Sequence, residues 1–125
     1  MSASRVIITD DHDMVRQGLS MFFRTLDEFV LIGEARDGLE AVQICEELQP
    51  DVVLMDILMP EMNGIEATAR ISKNFPHIKI VALTSFSDDD DLVQRILEAG
   101  AIICLPKQST IDEVADALRA AVAEV

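Results

Sequence analysis

Val6-Ile7-Ile8-Thr9-Asp10-Asp11 and Val52-Val53-Leu54-Met55-Asp56 share one design, a short apolar run that stops at carboxylates. Such runs read as strands buried on both faces, as in parallel sheets covered by helices. Ligands of open parallel sheets bind outside the carboxyl ends of the strands. If these two strands are neighbours, Asp10, Asp11 and Asp56 crowd into one small site. Two unit charges ~4 Å apart repel by roughly 4 kcal/mol at an effective dielectric of ~20. The cluster persists where a divalent cation neutralises it, or where a carboxyl keeps its proton.

The remaining sequence continues the alternation. Strands are expected at about residues 5–9, 29–34, 51–55, 78–83 and 101–105. Helical patterns lie between and after them, at about 12–25, 38–48, 64–74, 87–99 and 109–124. Strict alternation predicts an α/β fold, a single doubly wound five-stranded parallel sheet with helices on both faces. Asp37-Gly38 opens the second helix and Gly100 stops the fourth. Ser109 or Thr110 caps the fifth, whose apolar face runs Ile111, Val114, Leu118, Val122, Val125. The run Asp88-Asp89-Asp90-Asp91 reads as a solvated helix start favoured by the helix dipole. Met14 and Met21 lie off the Val15-Leu19-Phe22 face of the first helix, where partial exposure is expected and ordinary packing is favoured over an interface.

In the common spatial order 2-1-3-4-5, strands one and three are adjacent and strands four and five follow. The ends then hold Asp10-Asp11, Asp56, Thr84-Ser85 and Lys107 side by side. The second strand, at the edge, offers only Glu34 and the capping Asp37. This set suits phosphoryl transfer. Carboxylates hold magnesium, one carboxylate can act as nucleophile, and a lysine and a hydroxyl can meet phosphoryl oxygens.

Composition narrows the partners. The chain has 125 residues with a formal charge of −13 and a pI near 4.3. That acidity argues against direct binding of nucleic acid or an anionic membrane. No run approaches the ~20 apolar residues of a membrane span, and Asp10 cuts short any signal-peptide core. The two cysteines, Cys45 and Cys104, form no disulfide framework or metal motif and read as small buried hydrophobes. A cytoplasmic, one-domain protein is expected.

Four segments together resemble one family along the whole chain. They are Val6 to His12, Asp56 to Thr68 with Met59-Pro60 and Gly64, Leu83-Thr84-Ser85-Phe86, and Gly100-Ala101 through Pro106-Lys107. The chain is similar to response regulator receiver domains, in particular the NarL/FixJ (LuxR-type) subfamily and its LiaR/VraR-like members. The resemblance implies a flavodoxin-like (βα)5 receiver over residues 1–125, with no DNA-binding domain in this chain. It implies that Asp56 accepts phosphate from a sensor histidine kinase as 4-aspartylphosphate. Asp11, Asp56 and the Leu58 carbonyl would ligate Mg2+, with Asp10 acting largely through water. Thr84 and Lys107 would meet the phosphoryl group. The family commonly carries Tyr or Phe three residues before the lysine as partner to the Thr84 switch; here that position is Cys104.

The resemblance further implies a homodimer formed on phosphorylation, through helices one and five or four and five. It implies no enzyme activity beyond the chain's own phosphorylation and dephosphorylation. Output would be transcriptional through a separate helix-turn-helix, or, as a single-domain receiver, through protein contacts. A haloacid dehalogenase-like phosphohydrolase is the enzyme rival, with Asp11 as nucleophile in Asp11-His12-Asp13, but it leaves Asp56 unexplained. A flavodoxin would want a hydroxyl- and glycine-rich loop after the first strand, which Asp10-Asp11-His12-Asp13 is not.

Overall fold

Continuous apolar runs place three strands at the centre of the sheet. The computed structural model describes residues 3–85 and 89–123. In chain order the elements are β1 (Ser4–Thr9), α1 (Asp13–Phe23), β2 (Phe29–Ala35), α2 (Gly38–Leu48), β3 (Val52–Asp56), α3 (Gly64–Asn74), β4 (Lys79–Thr84), α4 (Asp90–Ala99), β5 (Ile103–Pro106) and α5 (Ile111–Ala123). The five strands form one parallel sheet in the order β2-β1-β3-β4-β5, as expected. Every residue of β3 is buried, as are the last four of β1, so both faces are covered. One apolar core joins the sheet to α2, α3 and α4 around Ile7, Val53, Met55, Ile71 and Ile96. The other joins it to α1 and α5 around Ile8, Leu54, Phe22, Val81 and Leu118.

Capping residues set the helix starts. The side chains of Asp37, Asn63 and Asp89 accept from the backbone N–H groups of Glu40, Glu66 and Leu92. Thr110 and Glu113 form a reciprocal capping box at α5: Glu113 N–H donates to Thr110 Oγ1 and Thr110 N–H to Glu113 Oε1. Substituting such a cap costs about 1 kcal/mol.

Three expectations change. β5 starts at Ile103 rather than near 101, because Ala101 is used up in ending α4. Gly100 takes φ 132°, and the Ala101 N–H donates back to the Ile96 carbonyl at 3.1 Å. Ile111 is 58% exposed, so the buried face of α5 is Val114, Ala115, Ala117, Leu118 and Ala121. Met14, at 84%, and Met21 are exposed rather than packed. Asp88, Phe86 and Val125 lie outside the described residues. No helix among the described residues is long and apolar enough to cross a membrane.

Candidate phosphoacceptor site

β1 and β3 are hydrogen-bonded neighbours, with Thr9 opposite Met55, so the residues that follow them converge. Asp10 is 1% exposed and Asp56 is 4% exposed. Ligand atoms of Asp10, Asp11, His12 and Asp56 all lie within 4.8 Å of one another. Lys107, following β5, places Nζ 2.9 Å from Asp10 Oδ2 and 3.1 Å from Asp56 Oδ2. The other Asp56 oxygen is fixed by the Ile57 N–H at 2.9 Å. One cation thus stands between two buried carboxylates.

The electrostatics follow from that count. Burial, reinforced by the neighbouring Asp10 charge, pushes the Asp56 carboxyl up to about 6, although Lys107 and the Ile57 N–H oppose the rise. Burial alone would weaken the proton on Lys107, but the two carboxylates outweigh it and hold the ammonium charged. The cluster carries more negative charge than one lysine cancels. Among the described residues, Asp11 Oδ1 and Asp10 Oδ2 are buried without a hydrogen bond, the latter meeting only the Lys107 charge. Buried anionic oxygens lacking donors are the chemistry a hard divalent cation satisfies, so the residues present fit magnesium.

Thr84 ends β4, where its neighbour Leu83 lies opposite Asp56. Its hydroxyl donates to the Leu105 carbonyl at 3.4 Å, and its own carbonyl accepts from the Lys107 N–H at 2.7 Å. It sits beside the lysine with its hydroxyl turned toward β5. Leu58, two residues past Asp56, is exposed in the loop before α3. That loop folds back on the strand end, with the Gly64 N–H donating to the Ile57 carbonyl at 2.6 Å. A Cβ on Gly64 would stand 2.0 Å from the Asp56 carbonyl oxygen, so only glycine permits the approach. Cys104 is half-buried beside Ala82 and packs against the core. Cys45 is fully buried, and burial pushes its thiol up to about 12.

Sequence reasoning missed Arg16 and misjudged Glu34. Arg16 is a buried guanidinium whose Nη1–H donates to the Asp10 carbonyl at 2.7 Å. It also pairs with Asp13 and, at 3.3 Å, with Glu34 of β2. The edge strand therefore supports the β1–α1 turn after all. Asp13 faces Arg16 and lies outside the ligand cluster, so the Asp11-His12-Asp13 pair that a dehalogenase-like site needs does not form.

The profile of the response regulator receiver domain matches residues 6–119. The chain is 50% identical over 117 residues to the transcriptional regulatory protein LiaR of Bacillus subtilis (strain 168), covering 94% of this chain and 55% of that protein. It therefore spans about half the length of that relative. A DNA-binding response regulator of the LuxR family from Staphylococcus aureus has the same fold, with a TM-score of 0.88 and 27% identity over 95% of this chain and 98% of that one. A chain of the CheX–CheY–BeF3–Mg2+ complex from Borrelia burgdorferi matches with a TM-score of 0.85 and 26% identity, covering 94% of this chain and 87% of that one.

Proposed function

We propose, from the premise that this chain belongs to the response regulator receiver family, that Asp56 is its phosphoacceptor and a sensor histidine kinase its donor. The chain is a receiver of two-component signal transduction. The observation that carries the assignment is the buried Asp56 carboxylate held between the Ile57 N–H and Lys107 Nζ. Asp10 is held in a similar way, by the His12 N–H and Lys107 Nζ, but it stands one residue beyond β1, whereas Asp56 is the last residue of β3.

The reaction is a displacement at phosphorus. An Asp56 oxygen forms the new P–O bond, the donor's P–N bond breaks, and its electron pair leaves on the imidazole. Lys107, already 3.1 Å from Asp56 Oδ2, moves its charge onto a phosphoryl oxygen. Asp10, Asp11, Asp56 and the Leu58 carbonyl would hold magnesium, which supplies the positive charge that lets an anionic cluster receive an anionic group. The Borrelia complex, which holds magnesium and beryllium fluoride, supports that reading. Thr84 then leaves Leu105 for the phosphoryl group, with Cys104 at the position where the family commonly has an aromatic residue.

Output follows from the surfaces this movement reaches. Of the two candidate faces, α1 with α5 presents exposed Met14 at the rim of an apolar cavity of about 330 Å³ lined by Leu19, Phe22, Ile111 and Val114. A two-fold pairing would set each copy's Met14 against the other's cavity, a self-complementary contact. LiaR is a transcriptional regulatory protein, which supports control of transcription as the final effect. Two experiments test this. Acetyl phosphate with magnesium should add one phosphoryl group to the intact mass, and none with EDTA; equal labelling in both would refute the metal requirement. Sedimentation should show a larger species with beryllofluoride and magnesium; an unchanged mass would refute the dimer switch.

A further inference from the structure

We propose that His12 is an additional ligand of the cation centre, through Nδ1, and that it lets the site take borderline divalent ions such as Ni2+ and Co2+ in mixed nitrogen–oxygen coordination. The inference rests on reading the acidic cluster as a cation site and adds to it a selectivity that carboxylates alone do not give. Hard cations such as magnesium take oxygen ligands, whereas imidazole favours the later first-row metals.

The geometry points to His12 in three ways. Its Nδ1 lies 3.1 Å from Asp10 Oδ1 and 3.3 Å from Asp11 Oδ1. Ligands about 2.1 Å from an octahedral ion stand roughly 3 Å apart when adjacent and roughly 4.2 Å apart when opposite. The two distances from Nδ1 match those between adjacent corners of an octahedron, and Asp56 offers a ligand atom within 4.8 Å of the others. Next, the imidazole has no task in the helix. His12 occupies the N-cap position of α1, yet its side chain makes no capping bond. Its main chain is fixed instead, with the His12 N–H donating to Asp10 Oδ1 at 2.9 Å and its carbonyl accepting from the Arg16 N–H at 3.2 Å. The ring is 66% exposed, so it can adjust to an ion without repacking.

The third observation concerns the oxygens. Asp10 is 1% exposed and its Oδ2 meets only the Lys107 ammonium, at 2.9 Å, while Asp11 Oδ1 is buried without a hydrogen bond. These groups are turned inward toward the cluster that His12 borders. Occupancy by an ion gives Asp11 Oδ1 a partner and uses an imidazole nitrogen that stands between two carboxylates.

The test is titration calorimetry of the untagged chain with Ni2+ and, separately, Mg2+, comparing wild type, His12→Asn and His77→Asn. His12→Asn should weaken Ni2+ roughly tenfold or more while Mg2+ stays within about twofold, and His77→Asn should change neither. In the Co2+ form, proton NMR should show a paramagnetically shifted imidazole N–H that His12→Asn removes. Unchanged Ni2+ affinity, or equal losses for Ni2+ and Mg2+, would overturn the proposal and leave His12 a hydrogen-bond partner of Asp10. Absence of Mg2+ binding to the wild type would instead overturn the cation site beneath it. Circular dichroism of the variants separates either result from misfolding.

Discussion

Asp56→Asn should make the metal-free protein more stable at pH 8, although it removes the reactive group. Asp56 is almost fully buried, and burial with the Asp10 charge lifts its carboxyl from 3.8 to about 6. Each unit is worth ~1.4 kcal/mol, so the ionised carboxylate burdens the folded state by up to about 3 kcal/mol. Asparagine has the same shape, carries no charge, and can still accept from the Ile57 N–H. Lys107 keeps Asp10 as its partner. The rise to about 6 already includes the opposing Lys107 attraction, so the expected gain is about 1–3 kcal/mol, or several degrees in Tm.

The sign fixes the pH window. A carboxyl whose folded pKa is raised binds its proton more tightly when folded, so its contribution is present below about pH 4 and is lost as pH rises through about 6. The variant's advantage should therefore be full above pH 6 and vanish near pH 4. Thermal unfolding in EDTA, followed by far-ultraviolet circular dichroism, reads this directly; the chain has no Trp or Tyr to report by fluorescence. Millimolar magnesium should raise the wild-type Tm more than the variant's, by preferential binding to the folded state. A variant less stable than wild type at pH 8, or an advantage independent of pH, would refute the reasoning.

Gly64→Ala should cost about 3 kcal/mol or more in urea denaturation, because the new methyl meets the Asp56 carbonyl, which is main chain and cannot swing away. Thr110→Ala should cost about 0.5–2 kcal/mol by the same assay, through loss of the α5 cap. Met14→Glu should change stability by no more than about 0.5 kcal/mol, since the residue is exposed, yet abolish the larger species seen by sedimentation with beryllofluoride and magnesium.

Most of the fold was legible because two independent signals agreed. Apolar runs marked the strands, and Asp37, Gly100 and Thr110 marked helix ends by chemistry that needs no tertiary context. Topology then brought Asp10, Asp11 and Asp56 together, since adjacent parallel strands finish at the same edge. What stayed hidden depended on tertiary partners. Arg16 falls in an amphipathic helix, where an arginine normally faces water, and only the Asp10 carbonyl, Asp13 and Glu34 explain its burial. Ile111 fits the helical period of α5, yet it stands at the mouth of the cavity beside α1 and is 58% exposed. The start of β5 was misplaced because Ala101 serves the helix end before the strand begins.

The central claim is that Asp56 alone is the phosphoacceptor and that its reactivity needs the cation site. Peptide mapping by mass spectrometry tests it, after acetyl phosphate treatment with magnesium or EDTA and borohydride trapping of any acyl phosphate. The modification should fall on Asp56 in magnesium and be absent in EDTA. Modification of Asp11 or Asp10, or an EDTA-insensitive label on Asp56, would contradict the account.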